Sequence, residues 1–149
     1  MIAAGGIATT IKEFGQLTTV ELYEILKARF EVFVIEQECL YLDMDDIDYH
    51  SLHVFFSRGT TVIAYARLFA EQEPDVWHVG RVLTVDRGVG LGKRLMEVVM
   101  QTARQQGART LKMDAQTHAI EFYRRLGFSV CSDVFDEAGI PHVRMETAL

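Results

Sequence analysis

Hydrophobic positions along this chain change period several times, and each change marks an element. Residues 11–14 predict an edge strand. Thr18, with Glu21 three residues on, forms a capping box at the start of a helix. The apolar side of that helix carries Leu22, Ile25, Leu26, Phe30 and Phe33. Arg29 interrupts this stripe, or flanks it with only its aliphatic stem buried. Residues 34–48 mix apolar anchors with acids at no clean period, which predicts a short helix or a structured loop. Residues 52–57 and 62–69 read as strands joined by a hairpin turn at Arg58-Gly59-Thr60. A polar loop broken by Pro74 leads to a strand over 76–85. A long amphipathic helix follows over about 92–106, with Leu95, Met96, Val99 and Ala103 on one face and Gly107 as its stop. Then come a strand over 110–115, a short helix over 119–126 ended by Gly127, and strands over 129–135 and 142–147 around a turn at 137–141. Residues 1–10 are weakly patterned, and Ala3-Ala4-Gly5-Gly6 predicts a flexible lead-in.

The sum is six or seven strands and about four helices in one domain over 1–149. An antiparallel first half gives way to a strand–helix–strand unit. The expected class is therefore α/β, an α+β sandwich on a mixed, mostly antiparallel sheet. At 149 residues the chain is long enough for a proper core.

The strand at 76–85 ends on Val82-Leu83-Thr84-Val85 and runs into Arg87-Gly88-Val89-Gly90-Leu91-Gly92. Glycines let the backbone turn its N–H groups inward, and the next helix adds the positive end of its dipole. Together they make an anion site, most often for phosphate. Walker A needs a glycine five residues before its Gly-Lys pair, and Ser or Thr after it. Here Arg87 stands five residues before Gly92, and Arg94 follows Lys93, so Walker A fails twice. The dinucleotide pattern GxGxxG fails as well, because Gly88, Gly90 and Gly92 give GxGxG. What fits is Arg-x-x-Gly-x-Gly on Arg87, Gly90 and Gly92. It resembles the acyl-CoA pyrophosphate loop of the GNAT N-acetyltransferase superfamily. Taken alone, the loop also suits an ordinary helix N-terminus in a tight turn.

A second segment adds to the resemblance. Residues 116–128 are similar to the superfamily's Asn-x-x-Ala-x-x-x-Tyr-x-x-x-Gly-Phe segment: Ala119, Tyr123, Gly127 and Phe128 match, and Gln116 replaces the Asn. A third stretch resembles the ElaA-like branch, through Phe33, Val34, Glu36, Gln37, Cys39, Tyr41, Asp43 and Asp45. Ile47 stands where that branch has Gly, so the turn there is expected to differ. The Gly139-Ile140-Pro141-His142 ending also resembles it. The resemblance runs from roughly Phe14 to the end of the chain.

Composition changes the picture little. The chain is 49% hydrophobic, with mean hydropathy near zero, as in a soluble globular domain. No apolar run approaches the ~20 residues of a membrane span, and the N-terminus lacks the layout of a signal peptide. Cys39 and Cys131 are too few for a disulfide framework or a zinc knuckle, so a reducing cytoplasm is the expected compartment. The net charge of −6 speaks against a nucleic-acid partner and suits a cationic substrate, or solubility alone.

The resemblance implies acetyl transfer from acetyl-CoA to a primary amine by direct attack. It implies that Leu83, Thr84 and Val85 pair with the pantetheine arm through their main chain, with Gln116 reaching the same arm. It implies that Arg87, Gly88, Val89, Gly90, Leu91, Gly92 and Lys93 hold the phosphates. Tyr123 matches the family's general acid, since a phenol near pKa ~10 can protonate a thiolate near ~8.5. The base is open among Glu36, His78, His118 and His142, with Glu36 preferred. Arg67 and Arg81 sit in apolar strands, so each must line a cleft or anchor an acid such as Glu36. Asp43, Asp45, Asp46 and Asp48 do not follow EF-hand spacing, since Asp48 and Val54 fill the sixth and twelfth places, so no metal site is expected. A solvated acidic loop, or a lure for cations, remains. The acceptor is open: a protein N-terminus or lysine, a polyamine or a small metabolite. The fold is expected as a monomer or homodimer. A non-catalytic acyl-CoA sensor and a nucleotide binder are the competing readings.

Overall fold

The computed structural model describes residues 6–149, so Ala3, Ala4 and Gly5 of the expected lead-in lie outside the described residues. Among the described residues, eight strands form one sheet: β1 (Ile7–Glu13), β2 (Leu52–Arg58), β3 (Thr61–Ala70), β4 (Val76–Thr84), β5 (Thr110–Gln116), β6 (Ser129–Val130), β7 (Phe135–Glu137) and β8 (Ile140–Ala148). Their order is β1-β2-β3-β4-β5-β8-β6, with β7 also paired to β8. Among these pairs β4–β5 alone is parallel. Three α-helices accompany the sheet: α1 (Thr19–Arg29), α2 (Leu91–Gln105) and α3 (Ile120–Arg125). The first strand begins at Ile7, four residues before its expected start, and pairs with β2 over its whole length. The strand expected over 129–135 is broken after Val130. There Arg144 N–H donates to Ser132 Oγ at 2.8 Å, so a side chain replaces the next ladder bond.

Helices cover both faces of the sheet, which explains why Val62 to Leu68 is buried without interruption. On one face α2 sets Leu95, Met96, Val99 and Ala103 against Val54, Phe56, Ala66, Leu68, Leu111 and Met113. Burying each such large side chain contributes about 1.5–3 kcal/mol. On the other face α1 sets Ile25 and Ala28 against Phe55 and Tyr65. The capping box of α1 is present: Thr18 Oγ1 accepts from Glu21 N at 3.0 Å, and Glu21 Oε1 accepts from Thr18 N at 2.8 Å.

Two expectations about this first helix fail. It changes at Phe30 into a seven-residue π-helix, Phe30–Glu36. The buried face runs through Ile25, Ala28 and Arg29 and continues to Val32 at ordinary helical spacing, so Phe30 falls on the exposed side. Arg29 is buried whole, not by its stem alone, because carboxylates wait for its guanidinium. Arg29 Nε donates to Asp43 Oδ2 at 2.8 Å and Nη1 donates to Asp48 Oδ1 at 2.6 Å.

The same acids take two further arginines. Arg67, on β3, donates to both oxygens of Asp45 at 2.7 and 2.6 Å and to Asp48 at 3.2 Å. Arg81, on β4, donates to Asp43 Oδ1 at 2.7 Å. The acidic stretch is thus neither a solvated loop nor a lure, and the anchored acids are these three aspartates rather than Glu36. Its amphipathicity is inverted. Asp43 and Asp48 point inward, while Leu40, Leu42 and Met44 face solvent. At the expected turn Asp46 takes a left-handed φ of 69°, the role that glycine has elsewhere.

Burial acts to raise the pKa of Asp48, but hydrogen bonds and charge from Arg29 and Arg67 outweigh it and hold the carboxyl low. Asp45 is lowered likewise, against burial, by Arg67 and Arg81. A depressed carboxylate contributes stability above its unfolded pKa of ~3.9 and loses it as pH falls through the folded value. Arg29→Ala removes one of the two arginine partners of each of two buried carboxylates. It should cost about 3–5 kcal/mol in denaturant unfolding at neutral pH. It should also flatten the loss of stability on acidification below ~pH 4. A cost within the range of a surface substitution would mean that the network does not hold the loop.

Candidate active site

The cleft exists because β4 and β5 part. They pair only at Val76↔Thr110, Trp77↔Leu111 and His78↔Lys112. Beyond His78 the strands separate, although β4 stays bonded to β3 and β5 to β8. A bulge accounts for the parting. Between Arg67↔Gly80 and Tyr65↔Leu83 the chain advances two residues on β3 and three on β4. The extra residue falls at Arg81 and Val82, where Arg81 takes φ 52°, and a bulge bends and twists its strand. The opening measures about 1350 Å³. It lies at the carboxyl ends of the parallel pair, where open α/β sheets place ligands.

One wall is the β4 main chain from Val79 to Thr84, which has no partner strand on the β5 side. The glycine loop continues that wall. Gly88 and Gly90 take φ 81° and 78°, and Gly90 is the N-cap of α2 without any side-chain cap. The first-turn N–H groups of α2 are left for solvent or a ligand. At Gly92 a Cβ would stand 3.2 Å from the Phe122 ring, so the glycine lets α3 close against the loop. Leu83, Thr84, Arg87, Gly88, Gly90, Leu91, Gly92, Lys93 and Gln116 all line the cleft. Val85 and Val89 are not among its lining and are exposed. The Val85 N–H is already donated to Ile63 O at 2.9 Å, so that amide is spent on the sheet.

Tyr123 lines the cleft from α3, packed edge-on between Phe122 and Phe128. Burial alone pushes its phenol up to about 12, so it stays protonated through the neutral range. All four candidate bases reach the same cleft. Glu36 forms an ion pair with Arg87. His78 stacks on Phe69 and meets Glu71 Oε1 at 3.1 Å, and burial pushes its pKa down. His118 Nε2 lies 2.7 Å from Gln116 Oε1. His142 is nearly buried, with Nδ1 2.7 Å from Ile140 O.

Comparison with known proteins agrees with this geometry. The family described as "Acetyltransferase (GNAT) domain" matches residues 14–149. The chain belongs to the GNAT acetyltransferase family. Within it, this GNAT chain falls in the ElaA branch. It is 33% identical to protein ElaA of Escherichia coli over 138 residues, covering 87% of this chain and 89% of ElaA. A UPF0039 protein of Schizosaccharomyces pombe is 38% identical over 143 residues, covering 93% of this chain and 95% of the relative. Among solved structures, an acyl-CoA N-acyltransferase from Pseudomonas aeruginosa superposes with a TM-score of 0.89 at 36% identity, over 95% of this chain and 99% of the other. The crystal structure of E. coli ElaA gives 0.88 at 29% identity, with the same coverage. Membership makes this chain an acyl-CoA-dependent acyltransferase by family. No helix among its described residues is long and apolar enough to cross a membrane.

The GNAT cleft also recruits residues that sequence reasoning missed: Phe69, Glu71, Asp114 and Phe122. Phe69 lies near the end of β3 and Glu71 just after it, where the buried run of the strand has ended. Gly92 was the available sign of Phe122, because a glycine one residue into a helix implies a close approach. The left-handed Gly90 gives a direct check. Gly90→Ala should cost about 1–2 kcal/mol of stability, since φ 78° opposes an L side chain. Unchanged unfolding would mean that the loop relaxes to another conformation.

Proposed function

We propose that this protein is an N-acetyltransferase that moves an acetyl group from acetyl-CoA to a primary amine by direct attack. The observation that carries the reading is the unpaired β4 main chain, continuous at one end with an uncapped helix N-terminus and lined opposite by Tyr123. These features fit acyl-CoA part by part. Main-chain groups of Val79 to Thr84 suit the amides of a pantetheine arm. The N–H groups around Gly88 to Gly92, with Arg87 and Lys93, suit its phosphates. Gln116, at the end of β5, faces the same arm. Bound there, acetyl-CoA supplies the activated thioester.

The chain's own residues do the rest. A β4 N–H directed at the thioester carbonyl favours the charge that develops on its oxygen. Tyr123, kept protonated by burial, donates its proton to the departing sulfur. The amine enters beside Glu36, His78 and Phe69. It must shed a proton, because a free lysine-type amine has pKa ~10.4. Glu36 accepts it, directly or through water. The acceptor remains open among peptide and small-molecule amines. The two free cysteines, Cys39 and Cys131, are consistent with a cytoplasmic enzyme.

Thermal unfolding with acetyl-CoA, CoA, ATP and NAD in parallel tests the cofactor. A ligand at 100 times its Kd should add about 2.7 kcal/mol. Only the CoA species should raise the midpoint, and stabilisation by ATP or NAD alone would show that the glycine loop serves another phosphate. For the acid, Tyr123→Phe should lower kcat by roughly 10²-fold or more while acetyl-CoA affinity holds. Unchanged turnover in that variant would remove Tyr123 from proton transfer.

A further inference from the structure

Two residues in sequence, Glu36 and Gln37, bridge the cleft at two points. Glu36, the last residue of the π-helix, pairs with Arg87 on the glycine loop. Gln37 exchanges hydrogen bonds with Gln116 at the end of β5. Its Nε2 donates to Gln116 Oε1 at 3.4 Å, and Gln116 Nε2 donates back to Gln37 Oε1 at 3.2 Å. One short segment thus ties itself to the ends of both parting strands. Both of its partners are residues assigned above to acyl-CoA.

The ties have the character of exchangeable contacts. The Arg87 and Glu36 side chains are 61% and 47% exposed, so water screens their attraction and the pair is weak. A phosphate offers the guanidinium more charge and a bidentate geometry. An amide-for-amide exchange at Gln116 costs little, because a pantetheine amide replaces the amide of Gln37 in kind. The support behind the segment is of another sort. It is π-helical over Phe30–Glu36, an arrangement frequent at functional sites. Val32 anchors its inner side in the core.

We propose that Glu36 and Gln37 form a two-point latch, which acyl-CoA opens by taking Arg87 from Glu36 and Gln116 from Gln37. This rests on the acyl-CoA reading of the cleft. The consequence is that Glu36 is neutralised by Arg87 before the cofactor binds and becomes a free carboxylate facing the amine afterwards. The cofactor itself makes the base available. Gln37 is a positioning residue, since it acts through Gln116.

The test is a pair of double-mutant cycles read as CoA affinity by calorimetry. Glu36→Gln removes a competitor for Arg87, so CoA should bind about 2- to 5-fold tighter. In the Arg87→Ala background the same change should have no effect. Gln37→Ala should likewise tighten CoA in the parent and not in Gln116→Ala. That second cycle leaves the phosphate contacts intact, so binding stays measurable even where Arg87→Ala weakens it severely. Equal tightening in both backgrounds would mean a general charge effect and would overturn the latch. Unchanged or weaker binding in Glu36→Gln and Gln37→Ala would overturn it as well. Absence of CoA binding to the parent protein would instead overturn the acyl-CoA reading on which the latch rests.

Discussion

Three arginines share one acidic loop, and their pairing fixes where that loop can lie against the cleft. Arg29, Arg67 and Arg81 come from α1, β3 and β4, and their partners Asp43, Asp45 and Asp48 all lie in one loop. Four of these six charged residues are buried, which is expensive, and a network of this kind is weak support for stability as such. What it supplies is position. An apolar loop could settle on the sheet in several registers, whereas bidentate Arg67–Asp45 contacts at 2.6 and 2.7 Å accept one. The loop is so constrained that Leu40, Leu42 and Met44 are turned to solvent while Asp43 and Asp48 point inward. One donor, Arg67 Nε, is left without a partner, a further cost of that geometry.

The same arginines meet the bulge that opens the cleft. Arg67 lies opposite Gly80, and Arg81 is the bulged residue with left-handed φ. A non-glycine residue held at φ 52° is strained, and the Arg81 contacts to Asp43 compensate it. So the feature that parts β4 from β5 and the feature that pins the acceptor loop are one construction. Loss of the network would loosen the loop and relax the bulge together.

Much of this fold could be read from the sequence, and the reasons are local. The box at Thr18 and Glu21, the face of α2 and the glycine loop each depend on neighbours in the chain. So do the stop at Gly107 and the turn before β8. The failures are all long-range. The core face of α1 runs through Arg29 rather than Phe30, because the acids that take its guanidinium are distant in the chain, and no helical period announces the π-helix that follows. Asp43 and Asp48 looked like surface charges because their partners lie 14 and 19 positions away on α1. Arg67 and Arg81 were recognisable as charges that must be paired, but not with which acids. The resemblance places Val85 on the arm, whereas its N–H is donated to Ile63 across the sheet.

The two halves of the cleft differ in kind, and the difference explains what the sequence could say about function. The half proposed for the cofactor is made of main chain: an unpaired strand edge, a helix N-terminus and glycines that permit both. That arrangement leaves a pattern on Arg87, Gly90 and Gly92, which gains its meaning only together with the segment at 116–128. The acceptor half is made of side chains delivered by the pinned loop and by strand ends, among them Tyr41, Leu42, Phe69, Glu71 and His78. Many side-chain sets fit the same scaffold, and each would select a different acceptor. A relative could therefore keep the whole cofactor half and the arginine network while changing its acceptor through five or six lining residues. For this chain those residues are where substrate specificity has to be sought.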